Sequence, residues 1–195
     1  MRLSESFYRD EDVVMLARWF LGKVLITHID GHITSGIITE TEAYAGISDR
    51  ASHAWRGRRS TRTAPMYMAG GVAYVYLIYG MYSLFNIVTG PPGIPHAVLV
   101  RAIRPLEGID IMHQRRKRTG EKGLSDGPGK LTMAMGISCA DSGTPLFGKR
   151  IWIEDRGIVP DAADIMSGPR IGVDYAGEDA LLPYRFICKP GSMVQ

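Results

Sequence analysis

Cysteine is scarce in this chain. Its two cysteines, Cys139 and Cys188, stand far apart and match no C-x-x-C or zinc-ligand spacing, which excludes a disulfide framework and a thiolate metal site. They read as free thiols of a reducing compartment. Long apolar runs are also missing: none reaches the length that spans a bilayer, and the opening MRLSESFYRDEDVVM has no signal-type apolar core. The expectation is a soluble, intracellular protein with no membrane partner. An excess of one charge is lacking too. Twenty-three basic residues against twenty acidic ones leave a net +3, below what a protein held mainly by phosphate contacts shows. There are no repeats, low-complexity segments or linkers. With 45% hydrophobic and 22% charged residues, residues 1–195 read as a single domain, able to bury roughly seventy per cent of its unfolded surface.

What is present gathers between Ile37 and Asn86. Glu40-Thr41-Glu42-Ala43-Tyr44 follows the apolar run Ile33 to Ile38, so both carboxylates are expected at or just past a strand end. Alternate residues of a strand share a face. Glu40, Glu42 and Tyr44 then point the same way if the chain stays extended. A carboxylate beside an aromatic platform suits chemistry on a flat, stackable substrate.

The same stretch ends in Tyr74-Val75-Tyr76-Leu77-Ile78-Tyr79-Gly80-Met81-Tyr82-Ser83-Leu84-Phe85-Asn86. Two aromatic and β-branched runs around one glycine predict a β-hairpin with its turn at Tyr79 to Met81. A three-residue turn pairs Ile78 with Tyr82 and puts Tyr76 and Asn86 diagonally on one face. Tyr79 and Met81 then sit at the tip, where a bulky side chain has little protein to pack against. Enzymes of nucleic acid insert such side chains between base steps.

Elsewhere the chain reads more plainly. Asp10 or Asp12 caps a short helix through Val13, Leu16, Ala17 and Phe20, stopped by Gly22. Lys23–Ile29 and Ile33–Glu40 form a strand pair around Asp30-Gly31. Ser48 to Gly71 is a long aperiodic loop holding Trp55 and Arg50, Arg56, Arg58, Arg59 and Arg62, a surface suited to DNA backbone. His96 to Ile103 is an apolar strand interrupted by Arg101, which needs an anion to be buried; Glu42 is the natural partner. Gly108 to Gly120 has helical spacing and the basic run Arg115-Arg116-Lys117-Arg118. Gly127-Pro128-Gly129-Lys130 is no Walker loop, because Leu124 and Leu131 occupy the positions that need Gly and Ser or Thr. Leu146 to Asp155 and Ile171 to Val173 read as further strands.

Several of these blocks resemble one family. ARWFLGKVL (17–25), TETEAY (39–44), His53, YVYLIYGMY (74–82), Asn86, LVRAIRPLEG (99–108), GPGKL (127–131) and PRIGVDYAGE (169–178) are similar, in this order and over nearly the whole chain, to the alkyladenine (3-methyladenine) DNA glycosylases shared by animals and many bacteria. The resemblance implies a monofunctional enzyme of base-excision repair that takes an alkylated or deaminated purine out of duplex DNA, hydrolyses its N-glycosidic bond and leaves an abasic site. It implies Glu42 as the general base, with Arg101 and the Ile171 backbone carbonyl holding the attacking water. It implies Tyr44, His53, Tyr76 and Asn86 around the base, and Tyr79, Met81, Tyr82, Arg58, Met66 and Lys130 against DNA, Lys130 near a helix start that suits phosphate. One departure is Thr63, where relatives often have Asn.

No lysine stands in the blocks that carry Glu42, Arg101 and Ile171, so water rather than an amine is the expected nucleophile. No cofactor and no metal are expected. The partner is duplex DNA with a damaged purine, the protein a monomer, and its place the cytoplasm (the bacterial nucleoid) or a nucleus. The expected fold is mixed α/β (α+β), with a curved, largely antiparallel sheet, surrounding helices and a protruding hairpin. A single-strand binding module would also use stacking tyrosines and basic loops, but not Glu42 and Arg101 in apolar surroundings. A hydrolase of free nucleosides would have no use for Tyr79.

Overall fold

The computed structural model describes residues 1–120 and 122–189. Helix α1 (Val13–Trp19) is capped by Asp12, whose side chain accepts from the Met15 amide at 2.8 Å. Gly22, with φ 83°, ends that segment; a Cβ there would lie 2.4 Å from the Ile158 carbonyl oxygen, so the close approach needs glycine. Strands β1 (Val24–Ile29) and β2 (His32–Tyr44) turn through Asp30 and Gly31, both at positive φ, the geometry of a tight two-residue hairpin. Strands β3 (Ala73–Ile78) and β4 (Tyr82–Thr89) form the second hairpin, and β5 (His96–Glu107) follows. Helices α2 (Ile109–Arg116) and α3 (Pro128–Met135) come next. Short strands β6 (Ile151–Glu154), β7 (Ile165–Gly168) and β8 (Arg185–Cys188) complete the chain.

The strands join one antiparallel sheet in the order β3-β4-β5-β2-β1-β6, with β8 pairing β2 and β7. It curls into a half-barrel with helices around it, the mixed α/β class expected.

Register places the site. Directly paired residues face the same side of a sheet. Glu42 pairs with Leu99 and Arg185, Leu99 with Asn86, and Asn86 with Tyr74. One transverse row therefore holds Arg185, Glu42, Leu99, Asn86 and Tyr74. Two residues along their strands, Tyr44, Arg101 and Tyr76 share that face. Their neighbours Ala43, Val98, Val100, Phe85 and Val75 belong to the main core, and Thr41 on that opposite side donates to the Ala17 carbonyl of α1 at 2.7 Å. One face of the sheet is thus sealed by apolar packing, and the other carries the polar row.

Four expectations need correction. β2 does not end near Glu40: it continues to Tyr44, because β5 and β8 pair it on both sides, with irregular register between Ile38 and Thr41. The strand expected over Leu146 to Asp155 is only Ile151–Glu154, since Phe147 bridges to Trp152 and the chain folds back between them. No strand forms at Ile171 to Val173, where Gly172 turns the chain with φ 74°. The loop from Ser48 to Gly71 is ordered by short 3-10 turns, including Trp55–Gly57 and Ala64–Tyr67.

Candidate active site

Above the polar row lies a cavity of about 700 Å³. Its walls come from β2 to β5, the arginine-rich loop and the 171–175 segment. At its inner end three donors meet Glu42. The Ile171 amide donates to Oε1 at 2.8 Å, and Arg101 Nη1 lies 3.2 Å from the same oxygen. The Tyr44 hydroxyl donates to Oε2 at 2.9 Å. Glu42 has no exposed surface, while its three partners line the cavity. Burial, and next the Glu42 charge, push the Tyr44 phenol well above its ordinary pKa, so it stays protonated and donates.

Arg101 does not serve Glu42 alone. Its Nε donates to Glu40 at 2.8 Å, and the same Glu40 oxygen accepts from Arg185 Nε at 2.7 Å. The chain Glu42–Arg101–Glu40–Arg185 alternates in charge across three strands, which meets the need for every buried charge to have a partner.

Sequence reasoning missed the pair behind this network. Arg170 and Asp49 are both buried, and Arg170 donates to both Asp49 oxygens and to the Ala43 and Asp179 carbonyls. Its guanidinium carbon also lies 4.8 Å from the Tyr44 ring centroid. Arg170 therefore braces Tyr44 and anchors the amide of its neighbour Ile171. The available signal was a charged residue inside the apolar block PRIGV.

The aromatic wall is continuous. Tyr74 and Tyr76 have centroids 5.4 Å apart, and His53 packs edge-on to Tyr76 at 4.6 Å. His53 Nδ1 lies 2.8 Å from the Tyr74 hydroxyl. Burial, then the charges of Arg62 and Arg58, depress the His53 pKa to about 4, so the imidazole is neutral near pH 7. Asn86, buried at the floor, donates through Nδ2 to the Tyr74 and Leu84 carbonyls at 3.1 and 3.4 Å, which fixes its amide plane. Thr63 is buried and its hydroxyl is engaged within the loop, accepting from the Ser60 amide at 2.9 Å.

The remaining candidates divide by exposure. Ile78 pairs with Tyr82, leaving Tyr79, Gly80 and Met81 as the turn. Tyr79 is 85% exposed and holds a left-handed φ of 53°, uncommon for a bulky residue. Met81 and Tyr82 are also exposed. Met66, expected against DNA, is buried and lines the cavity. Arg58 stays on the exposed loop, away from the cavity lining. Lys130 lines the far end, paired with Asp126 at 2.8 Å. There α3 is fastened to the hairpin, with the Thr132 hydroxyl on the Ser83 carbonyl at 2.7 Å and Gly129 against Tyr82. At Ile171 the amide donates to Glu42, a contact that the sequence, which pointed to the carbonyl as a partner of the water, did not anticipate. Among the described residues no cluster of potential metal ligands occurs, and no helix is long and apolar enough to cross a membrane.

A family model described as methylpurine-DNA glycosylase matches residues 6–191. The chain belongs to that family. A provisionally named 3-methyladenine DNA glycosylase of Chlamydia abortus is 47% identical over 187 residues, covering 95% of this chain and 97% of its own. Proteins of the same provisional name from Chlamydia pneumoniae and Bacillus cytotoxicus are 45% and 42% identical, each covering at least 95% of both chains. As a methylpurine-DNA glycosylase the protein is a hydrolase of N-glycosyl bonds in DNA repair. In this glycosylase the tyrosine wall and the three donors line one cavity, and the buried Glu42 lies directly behind those donors.

Proposed function

We propose that this glycosylase acts, as a monomer, on duplex DNA holding an alkylated or deaminated purine, flips that nucleotide into the cavity and hydrolyses its glycosidic bond with a water activated by Glu42. The observation that carries the reading is the convergence of three donors on Glu42 beside an aromatic cavity. A carboxylate has about four lone-pair sites. The Ile171 amide, Arg101 and Tyr44 use three; the fourth is left for a water, which reaches the covered carboxylate once one of those partners shifts. That water attacks the anomeric carbon as Glu42 takes its proton, and the bond electrons pass to the departing purine nitrogen. The negative carboxylate also favours the oxocarbenium-like transition state. A cationic 3-methyladenine leaves as a neutral base, whereas neutral hypoxanthine needs a proton on the ring as it departs.

A base inside a duplex cannot reach such a pocket, so extrusion must precede chemistry. The exposed Tyr79, with Met81 and Tyr82 beside it, is suited to fill the gap in the stack. The extruded purine is held against Tyr44, Tyr76 and His53, where aromatic stacking contributes about 1–3 kcal/mol per base. Arg58 and Lys130 are suited to phosphates on either side. Incubation with a methylated duplex should release free 3-methyladenine and leave alkali-labile abasic sites. Tight binding to single strands with no base released would support a binding module instead, and preference for free nucleosides over duplex would support a nucleoside hydrolase.

A further inference from the structure

Of the five arginines in the loop after Ser48, Arg62 alone lines the cavity. Arg56 and Arg59 are occupied on the rings of Trp55 and Tyr67, at 4.3 and 3.9 Å. Arg62 turns inward. Its guanidinium carbon lies 4.9 Å from the Tyr76 ring centroid, and its Nη2 lies 3.0 Å from His53 Nε2 and 3.3 Å from Nδ1. A guanidinium can only donate. Nδ1 already faces the Tyr74 hydroxyl at 2.8 Å, so the nitrogen that accepts from Arg62 is Nε2. These contacts are with an imidazole and a phenol ring, neither of which neutralises the charge on Arg62.

We propose that Arg62 sets the lesion preference of this enzyme, its guanidinium holding a positive charge against the wall that receives the base and so favouring neutral over cationic purines. The inference rests on the reading above, in which the His53–Tyr76 wall receives the extruded purine. A neutral hypoxanthine can share that wall with a guanidinium plane or displace it at the same cost as any other flat base. A 3-methyladenine nucleotide carries a formal positive charge on its ring. Two like charges a few ångströms apart repel, and at a solvent-facing rim water moderates that repulsion without abolishing it. The penalty falls on capture of the cationic base, since that base needs no help to leave once held.

The test compares single-turnover excision at subsaturating enzyme for duplexes with 3-methyladenine or hypoxanthine, using the parent, Arg62→Gln and Arg62→Lys. Gln keeps a planar amide without charge, and Lys keeps the charge without the plane. The 3-methyladenine to hypoxanthine rate ratio should rise at least about threefold in Arg62→Gln and stay within about twofold of the parent in Arg62→Lys, as a charge effect requires. An unchanged ratio in Arg62→Gln, with both rates falling together and the salt dependence losing about one ion, would make Arg62 a phosphate contact and overturn the proposal. Arg62 is exposed at the rim, so thermal melts of all three proteins should coincide. A parent that frees neither base defeats the underlying glycosylase reading, an outcome distinct from an unchanged ratio.

Discussion

Tyr44 and Glu42, two residues apart on one strand, are joined by a 2.9 Å hydrogen bond from the phenol to the carboxylate. One side chain therefore forms a wall of the cavity and also orients the proposed base.

That double role can be separated. Tyr44→Phe keeps the ring and removes the donor. A hydrogen bond to a charged group is worth about 1.5–3 kcal/mol, so excision of hypoxanthine should fall roughly tenfold to a hundredfold. Binding to an abasic-analogue duplex should be unchanged. Parent-like single-turnover rates in Tyr44→Phe would show that the bond does not orient Glu42 for reaction.

The buried pair Arg170–Asp49 lies behind that wall. Asp49→Ala strands a buried guanidinium, and breaking such a pair costs about 3–5 kcal/mol. Denaturant titration should show this loss of stability. A change below about 1 kcal/mol would mean that Arg170 finds another anion or reaches water, since surface pairs are worth no more than that.

The pH dependence has two parts. With a folded pKa of about 4 against an ordinary value of 6.5, His53 takes up its proton more readily in the unfolded chain. Its cost to stability sets in as pH falls below 6.5 and is complete below about 4. Melts between pH 7 and 4 should therefore show a steeper loss in the parent than in His53→Gln. In activity, excision of cationic 3-methyladenine should rise to a plateau with pH, while neutral hypoxanthine, which needs both a base and an acid, should give a bell. Coincident profiles would argue against protonation of the leaving group as the difference.

Asn86 is proposed to help spare undamaged DNA. Its amide is tied to the Tyr74 and Leu84 carbonyls at the cavity floor, so it cannot swing aside. Guanine differs from hypoxanthine by an amine at C2, and a fixed amide would obstruct that amine in a purine bound with C2 toward Asn86. Asn86→Ser should raise the ratio of 7-methylguanine to hypoxanthine excision. A ratio that stays level or falls, in a folded mutant, would locate the obstruction elsewhere.

The hairpin register, Ile78 with Tyr82, was legible in the sequence because a short turn and strict alternation are local properties. The pairing of Arg101 with Glu42 was legible because a charge inside an apolar strand needs an anion. The role of Glu40 was not, since it depends on irregular pairing between Ile38 and Thr41 and on Arg185 arriving from β8. Nor was Asp49 legible: it lies 121 residues from Arg170 and reads as any loop acid until the fold buries it. Ile171-Gly172-Val173 has strand-like composition, yet Gly172 takes a left-handed φ that breaks the extended run, and the Ile171 amide donates to Glu42 beside the anchored Arg170.

Glu42 is the proposed activator of the water that breaks the glycosidic bond. Glu42→Gln keeps the shape of the side chain and removes the base. On a hypoxanthine duplex under single-turnover conditions, the mutant should release no base above the uncatalysed rate while binding an abasic-analogue duplex nearly as tightly as the parent. Base release by Glu42→Gln at a rate comparable to the parent would contradict the account.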